Sequence, residues 1–170
     1  MKLKFNEKRI YEIAQKYDDA SDASLKELQP TVCSQGFITK EQLKTIVKWK
    51  SPRSVWHIDK NEESEGYVKT ITSFALSTKN ERARIEVLTI LNGVSWPIAS
   101  VILHWFHKEP YPILDFRALW SCSTDVPNQY NFSFWKNYVE FCRSIIKRND
   151  INMRTLDRAL WQYSKDNQKA

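Results

Sequence analysis

A carboxylate that could act in catalysis follows a short apolar segment of the chain. Asp115 comes directly after Pro112-Ile113-Leu114, and the stretch Pro110-Tyr111-Pro112 predicts extended backbone, because proline disfavours helix in the residue before it. A carboxylate held beside a reacting centre can stabilise developing positive charge or deprotonate an attacking water. The alternative is an ordinary cap on a short helix through Trp120, since aspartate often caps helices. Asp115 is therefore a candidate catalytic residue with a structural alternative.

A tight turn precedes this acid. The segment Leu91-Asn92-Gly93-Val94-Ser95 joins two predicted helices, and Gly93 lies 22 residues before Asp115. Glycine allows a sharp reversal that a side chain would obstruct, and we expect Val94 to anchor the turn in the core. The amide N–H groups of Ser95 and its neighbours then lie at a helix N-terminus, where they form an anion site. A DNA phosphate could bind there without a cationic side chain.

The stretch from Leu91 to Arg117 resembles the helix-hairpin-helix DNA glycosylase superfamily, which includes endonuclease III and the adenine-mismatch glycosylases. The family's L-x-G-V-G hairpin is similar to Leu91–Ser95, and its proline-apolar-apolar-aspartate segment is similar to Pro112–Asp115. The 22-residue interval between glycine and aspartate matches without a gap. The family's second helix, with a small residue and then apolar ones, has counterparts in Ala99, Val101, Ile102 and Leu103.

This resemblance implies an all-α, helix-hairpin-helix glycosylase-like bundle. We expect residues 1–170 to form a single helical domain, with the helix-hairpin-helix at about 80–107 and the aspartate segment at 111–117. In such an enzyme, Asp115 would stabilise the cationic sugar that forms when an N-glycosidic bond breaks. The implied partner is double-stranded DNA with a damaged or modified base, and the implied reaction is hydrolysis of that base after it is flipped out.

Two residues depart from the family pattern. Ser95 replaces the second hairpin glycine, so the turn must tolerate a side chain there. Pro97 stands where bifunctional members carry a lysine nucleophile, and proline has no amine to form a Schiff base with the sugar. The resemblance therefore implies a monofunctional glycosylase without lyase activity, or a binding module that has lost its chemistry.

Further residues are candidates for contact with DNA. A flipped base could stack on Trp56 beside His57, but with seven tryptophans in the chain the composition favours a core role for any one of them. Trp96 lies in the hairpin and could face DNA or pack under the turn. The complete predicted DNA-binding set is Asn92, Gly93, Val94, Ser95, Trp96 and Arg53, with Trp56 and His57 as a base pocket.

Two further charged residues, Arg117 near Asp115 and Asp157 in the last predicted helix, can be interpreted in more than one way. We expect Arg117 to pair with a carboxylate such as Asp157, with a DNA contact as the alternative. Asp157 lies in mid-helix between Leu156 and Arg158, so we assign it a structural role. The histidines lack a consistent metal spacing, and we expect neither a metal nor any other cofactor.

Helix-start signals outline the elements that must position these residues. Asn6 can cap a first helix, and Thr39 with Gln42 forms a capping-box pattern. Further helices are predicted from Tyr67 to Leu76 and from Asn80 to Leu91, followed by one containing Pro97 in its first turn. His57–Gly66 is polar and predicts a loop or a short turn. Asn131 or Ser133 opens the next-to-last predicted helix, and Asn152 opens the last one.

Composition sets the remaining limits. The net charge of +6 suits either a polyanionic partner or an ordinary basic, soluble surface. No apolar run approaches the length of a membrane span. The N-terminus shows no apolar signal core, so we expect a cytoplasmic monomer, nucleoid-associated if bacterial. Cys33, Cys122 and Cys142 are predicted to be buried free thiols. The alternatives to a glycosylase are an inactive helix-hairpin-helix DNA-binding module and a helical protein-interaction adaptor.

Overall fold

The computed structural model of the chain describes residues 1–61 and 66–168. Within these residues the chain forms helices, turns and loops and no strand, so the predicted all-α class is confirmed. The α-helices, in chain order, are α1 (Ile10–Ala14), α2 (Ala23–Gln35), α3 (Lys40–Lys50), α4 (Tyr67–Ser77), α5 (Glu81–Leu88), α6 (Trp96–Phe106), α7 (Phe116–Ser121), α8 (Phe132–Asn149) and α9 (Met153–Asn167).

The chain divides into two compact units. The central unit is Asp19–Glu109, and the terminal unit combines Met1–Asp18 with Pro110–Ala170. The predicted helix-hairpin-helix therefore lies in the central unit, whereas Asp115 lies in the terminal unit. That residues 1–170 act as one domain stays a prediction, because compact units within a chain occur in single domains and in multidomain proteins alike.

The central unit is built around α6. Every residue from Ile98 to Phe106 is buried except His104, and a helix that is apolar on nearly all sides requires neighbours on nearly all sides. The helices α2, α3 and α5 pack against α6, and Leu25, Leu43 and Leu88 are fully buried in this unit.

The terminal unit joins the two ends of the chain. Its helices α1 and α7 both pack on α9. The longest helix, α8, buries Trp135, Tyr138 and Cys142, which lie at helical spacing along one stripe. The guanidinium of Arg148 near the end of α8 also forms an ion pair with Glu7.

The predicted helix starts are confirmed at the level of single hydrogen bonds. The capping box at Thr39 is complete, since its side chain accepts the Gln42 amide N–H and the Gln42 side chain accepts the Thr39 amide N–H. Other starts are capped by asparagine side chains, which accept backbone N–H groups of the first turn. These are Asn6, Asn80, Asn131 and Asn152.

The prediction of a loop or short turn over His57–Gly66 misses the helical structure of its first part. Residues Pro52–Lys60 form a 3-10 helix, and residues 62–65 lie outside the described part of the chain. Lysine side chains of α3 fasten this segment from one side. Lys40 Nζ donates to Asn61 O at 2.9 Å, and Lys44 pairs with Asp59 at 2.8 Å. These contacts link distant residues and leave no periodic signal in the local sequence.

The cysteines are free thiols, but their expected burial is only partly correct. Cys122 and Cys142 are buried, whereas Cys33 is exposed. Burial raises the pKa of the Cys122 thiol to about 12, so this thiol stays protonated and behaves as a small apolar side chain. Among the described residues, no helix has the length and apolar character needed to cross a membrane.

Candidate functional site

The predicted hairpin is present between α5 and α6. The amide of Val94 donates to Leu91 O at 3.1 Å, which closes the turn. Leu91 and Val94 both point into the core and are 2% and 5% exposed. Val94 therefore anchors the turn as predicted, through its buried side chain and its amide hydrogen bond.

Gly93 is required at this turn for two independent reasons. Its φ of +82° lies in the left-handed region that side-chain-bearing residues rarely adopt. A Cβ at this position would also lie 2.7 Å from Ile58 Cδ1 and 3.1 Å from His57 Cβ. The hairpin is thus seated directly on the Pro52–Lys60 segment, which is a role for Gly93 beyond the predicted chain reversal.

A buried asparagine fastens the hairpin to the same segment. Asn61 is 1% exposed, and its Nδ2 donates to Asn92 O at 2.9 Å and to Ile58 O at 3.0 Å. In return, its Oδ1 accepts the Asn92 amide N–H at 2.8 Å. Sequence reasoning missed Asn61, because its partner lies 31 residues away and a lone asparagine carries no local signal for that contact.

The departure at Ser95 causes no strain. Ser95 is the N-cap of α6 with φ −85° and ψ 170°, which is ordinary extended backbone. Its side chain is exposed and forms no capping hydrogen bond. Trp96 and Pro97 follow in the first turn of α6, both partly exposed. A helix N-terminus with amide N–H groups and an exposed hydroxyl therefore follows the turn.

Trp56 lies on the surface beside the hairpin. Its side chain is 58% exposed, so the alternative of a core role for this tryptophan is wrong. The indole stacks on the His57 ring with 3.6 Å between centroids, and Lys60 Nζ lies 4.4 Å from the indole centroid. Because His57 Cβ abuts Gly93, this stacked pair adjoins the turn; Arg53 is exposed on the same 3-10 helix. The base-pocket role of Trp56 and His57 stays a prediction.

Asp115 caps α7 in the terminal unit. Its Oδ1 accepts the Arg117 amide N–H at 2.9 Å, and the side chain is partly exposed. The capping role is confirmed, and the catalytic role stays a prediction. Tyr130 is a neighbour that sequence reasoning missed. Burial, together with the negative charge of Asp115, raises the pKa of the Tyr130 phenol.

Side chains of α8 and α9 hold the extended segment that leads to Asp115. Tyr138 Oη donates to Ile113 O at 3.3 Å, and the Ile113 amide donates to Asp157 Oδ1 at 3.4 Å. Arg143 Nε donates to Pro110 O at 3.0 Å. The backbone that carries Asp115 is therefore fixed through contacts with residues that follow it by 25 to 44 positions.

Arg117 does not pair with Asp157, and this expectation is corrected. Asp157 is 6% exposed and forms its ion pair with Arg154, one turn earlier on α9. The Arg117 guanidinium instead lies over two rings, 5.1 Å from Phe116 and 5.6 Å from Trp161. The buried, bonded carboxylate of Asp157 fits its assigned structural role.

Comparisons with protein-family models, with curated protein sequences and with solved structures find no match to this chain. Within the residues described, no group of three or more histidine, cysteine, aspartate or glutamate side chains could hold a metal ion.

Proposed function

We propose that the protein is a monofunctional DNA glycosylase that hydrolyses the N-glycosidic bond of a damaged or modified base. The observation that carries this proposal is the construction of the hairpin. Gly93 has a positive φ, a Cβ there would crowd Ile58 Cδ1 and His57 Cβ, and the turn is followed directly by the N-terminus of α6. A turn with these requirements is a built feature, and the amides of the first turn of α6, to which Pro97 contributes none, suit a phosphate.

The surface next to the hairpin supports duplex DNA as the partner. Exposed cations, Arg53 and Lys60, lie on the 3-10 segment under Gly93, and Trp56 is exposed between them in the sequence. Phosphate contacts of this kind position a duplex without reading its sequence. The net charge of +6 adds a general attraction to a polyanion.

Asp115 would supply the chemistry. As the bond between C1′ and the base nitrogen breaks, its electron pair leaves with the base, and the sugar becomes cationic. The carboxylate stabilises that cation and takes a proton from the water whose oxygen bonds to C1′. The departing base takes up a proton from solvent. Pro97 has no amine, so the product is an intact abasic site.

The test is excision from duplexes that carry different modified bases, with alkali used to reveal abasic sites. Uracil, alkylated purines, mismatched adenine and hypermodified cytosine form the substrate panel. Asp115→Asn keeps the size and capping ability of the side chain but removes its charge. We expect a loss of about 100- to 1000-fold in excision while duplex binding persists. Asp125→Asn, which removes an exposed carboxylate from the same unit, is the matched control.

Borohydride should trap no covalent adduct between the protein and DNA, because no lysine occupies the position of Pro97. Efficient trapping would show that another amine attacks the sugar. Undiminished excision by a folded Asp115→Asn variant would remove this residue from the mechanism.

An inactive helix-hairpin-helix DNA-binding module is the second candidate. It is favoured by one observation, namely that Asp115 Oδ1 already accepts the capping hydrogen bond from Arg117. Under this hypothesis, duplex binding falls steeply with salt concentration, yet no member of the substrate panel is excised. Binding that is independent of salt, or absent at low salt, would count against both candidates and leave a protein-interaction adaptor.

A further inference from the structure

One face of α9 carries cations around a tryptophan. Arg154, Arg158, Trp161 and Lys165 recur at intervals of three or four residues, which places them on the same side of the helix. This face belongs to the terminal unit, and neither the hairpin nor the chemistry proposed for Asp115 uses it.

The rings and cations on this side of the unit form a continuous set of contacts. Arg117 lies over both Phe116 and Trp161, and Lys165 Nζ lies 5.2 Å from the Trp161 centroid. Tyr17 meets the edge of Trp161 at 5.4 Å, and Arg158 lies 5.5 Å from the Tyr17 centroid. We call this set the aromatic–cation strip; it comprises Tyr17, Phe116, Arg117, Arg158, Trp161 and Lys165.

Three of the six members of the strip are cations and none is a carboxylate; Asp115 precedes Phe116 and Asp166 follows Lys165 in the sequence. Among the described residues, neither Arg117 nor Lys165 forms an ion pair, and the nearby Asp157 is buried and paired with Arg154. Phe116 is 54% exposed at the end of the strip. An exposed ring beside unneutralised cations complements a ligand that has both flat faces and negative charge.

We propose that the aromatic–cation strip binds single-stranded DNA. A base would stack on Phe116, and the neighbouring phosphates would contact Arg117 and Lys165, as in proteins that track a single strand with rings and cations. A paired duplex hides its base faces within the stack, so it cannot use Phe116 in this way. The proposal goes beyond the proposed function, because it requires neither the hairpin nor any excision.

The test compares Phe116→Ala with Phe74→Ala in binding to labelled oligothymidine of about 20 nucleotides, a length that covers a typical single-strand site. Phe74 is the matched control, since it is 47% exposed and lies on α4 of the central unit. Both changes remove exposed rings, and circular dichroism checks that both variants fold. We expect Phe116→Ala to lower single-strand affinity about tenfold, with an effect of less than about twofold from Phe74→Ala.

A second variant tests the phosphate contact separately. Lys165→Gln removes one exposed cation and should reduce the slope of log K against log salt concentration by about 0.7 for a single strand. A fully paired duplex serves as the second probe, and its affinity should change little in Phe116→Ala. Polyglutamate serves as a polyanion without bases, and Phe116→Ala should leave its binding unchanged.

Equal single-strand affinities for Phe116→Ala and Phe74→Ala would overturn the proposal. A loss of polyglutamate binding in Lys165→Gln, with single-strand affinity unchanged in Phe116→Ala, would also overturn it and assign the strip to an acidic protein partner. The proposed function fails by a different measurement, since it requires excision that depends on Asp115. If single-strand binding depends on Phe116 but no base is excised, the single-strand proposal is supported and the proposed glycosylase function is contradicted.

Discussion

The hairpin and the Asp115 segment are positioned by opposite means. The hairpin in the central unit depends on small groups, namely a glycine without a Cβ and one buried amide, Asn61, that bonds the backbone. The Asp115 segment in the terminal unit is held by long side chains from α8 and α9, including Tyr138 and Asp157. A backbone turn can be encoded within a few residues, whereas a segment held by side chains depends on distant parts of the chain.

The largest loss of stability is expected from a variant that removes the side-chain contacts holding the Asp115 segment. Asp157→Ala removes the acceptor of the Ile113 amide and the carboxylate that pairs with Arg154. Loss of one partner of a buried ion pair costs about 3–5 kcal/mol. The free energy of unfolding should fall by about this amount, and hydrogen exchange should accelerate in the terminal unit. Excision should fall while duplex binding by the hairpin persists.

The control for this change is Asp125→Ala, which removes an exposed aspartate from the same unit. Its cost should stay below about 1 kcal/mol, because surface contacts contribute little to stability. Equal costs for the two variants would show that Asp157 does not support the segment.

The hairpin can be broken by adding a single methyl group. Gly93→Ala combines a left-handed φ with a Cβ only 2.7 Å from Ile58 Cδ1. We expect this variant to lower the free energy of unfolding by about 3 kcal/mol. Gly36→Ala is the matched control in the same unit, since its φ is +74° and no atom lies within 4 Å of the added Cβ. Its cost should be only about 1 kcal/mol.

Denaturant unfolding measures both glycine variants, and duplex binding separates them further. Gly93→Ala should weaken duplex binding at low salt, because the turn that aims the α6 amides shifts, whereas Gly36→Ala should not. If both variants lose the same stability, the close approach of the hairpin to the Pro52–Lys60 segment is not a constraint.

A smaller loss of stability is expected when the side-chain amide of Asn61, which bonds the hairpin backbone, is removed. Asn61→Ala deprives the Asn92 amide and carbonyl of their buried partner, which costs about 2 kcal/mol. Asn80→Ala removes an asparagine of the same unit that only caps α5, and a lost cap costs about 1 kcal/mol. Only Asn61→Ala should weaken duplex binding. The reverse order in either measurement would rule out Asn61 as the fastening residue.

The same contrast explains what the sequence could predict. Helix starts at Thr39, Asn131 and Asn152 and the turn at Gly93 were predictable, because a cap or a tight turn is decided within about four residues. Asp115 was placed correctly as a cap for the same reason. The all-α class is predictable from these local signals and from composition, because only 3 glycines and 6 prolines occur in the chain and many short strands would need more turn residues.

Features fixed by distant contacts could not be predicted. The Pro52–Lys60 helix is held by Lys40, Lys44 and the approach of Gly93, and its second half falls in the polar stretch His57–Gly66, which predicts a loop or short turn. Arg117 was expected to pair with Asp157, but Arg154 lies one turn away on the same helix and reaches that carboxylate first. Pairing of this kind depends on the packing of α7 and α9, which one sequence does not reveal.

The smallest expected effect on stability is the protonation of His107, at the end of α6, as the pH falls. Burial, with a further contribution from the charge of Arg84, lowers the pKa of His107 to about 4, from 6.5 for an ordinary histidine. Because the unfolded chain binds this proton more readily, the contribution of His107 to stability is complete above about pH 6.5. It is lost as the pH falls toward 4. We expect the free energy of unfolding to fall by about 1 kcal/mol. This is well below the free energy that corresponds to the whole pKa shift, because the ring is partly exposed to solvent.

His107→Asn tests this prediction, because an asparagine oxygen can accept the Glu109 amide N–H as His107 Nδ1 does but cannot take up the proton. Unfolding free energies of the wild type should decline by about 1 kcal/mol more than those of the variant between pH 7 and pH 4. His104→Asn, on the same helix, controls for the loss of an imidazole. Direct titration of the His107 ring by NMR completes the test, and a midpoint near 6.5 would show that burial at the end of α6 does not disfavour the charged ring.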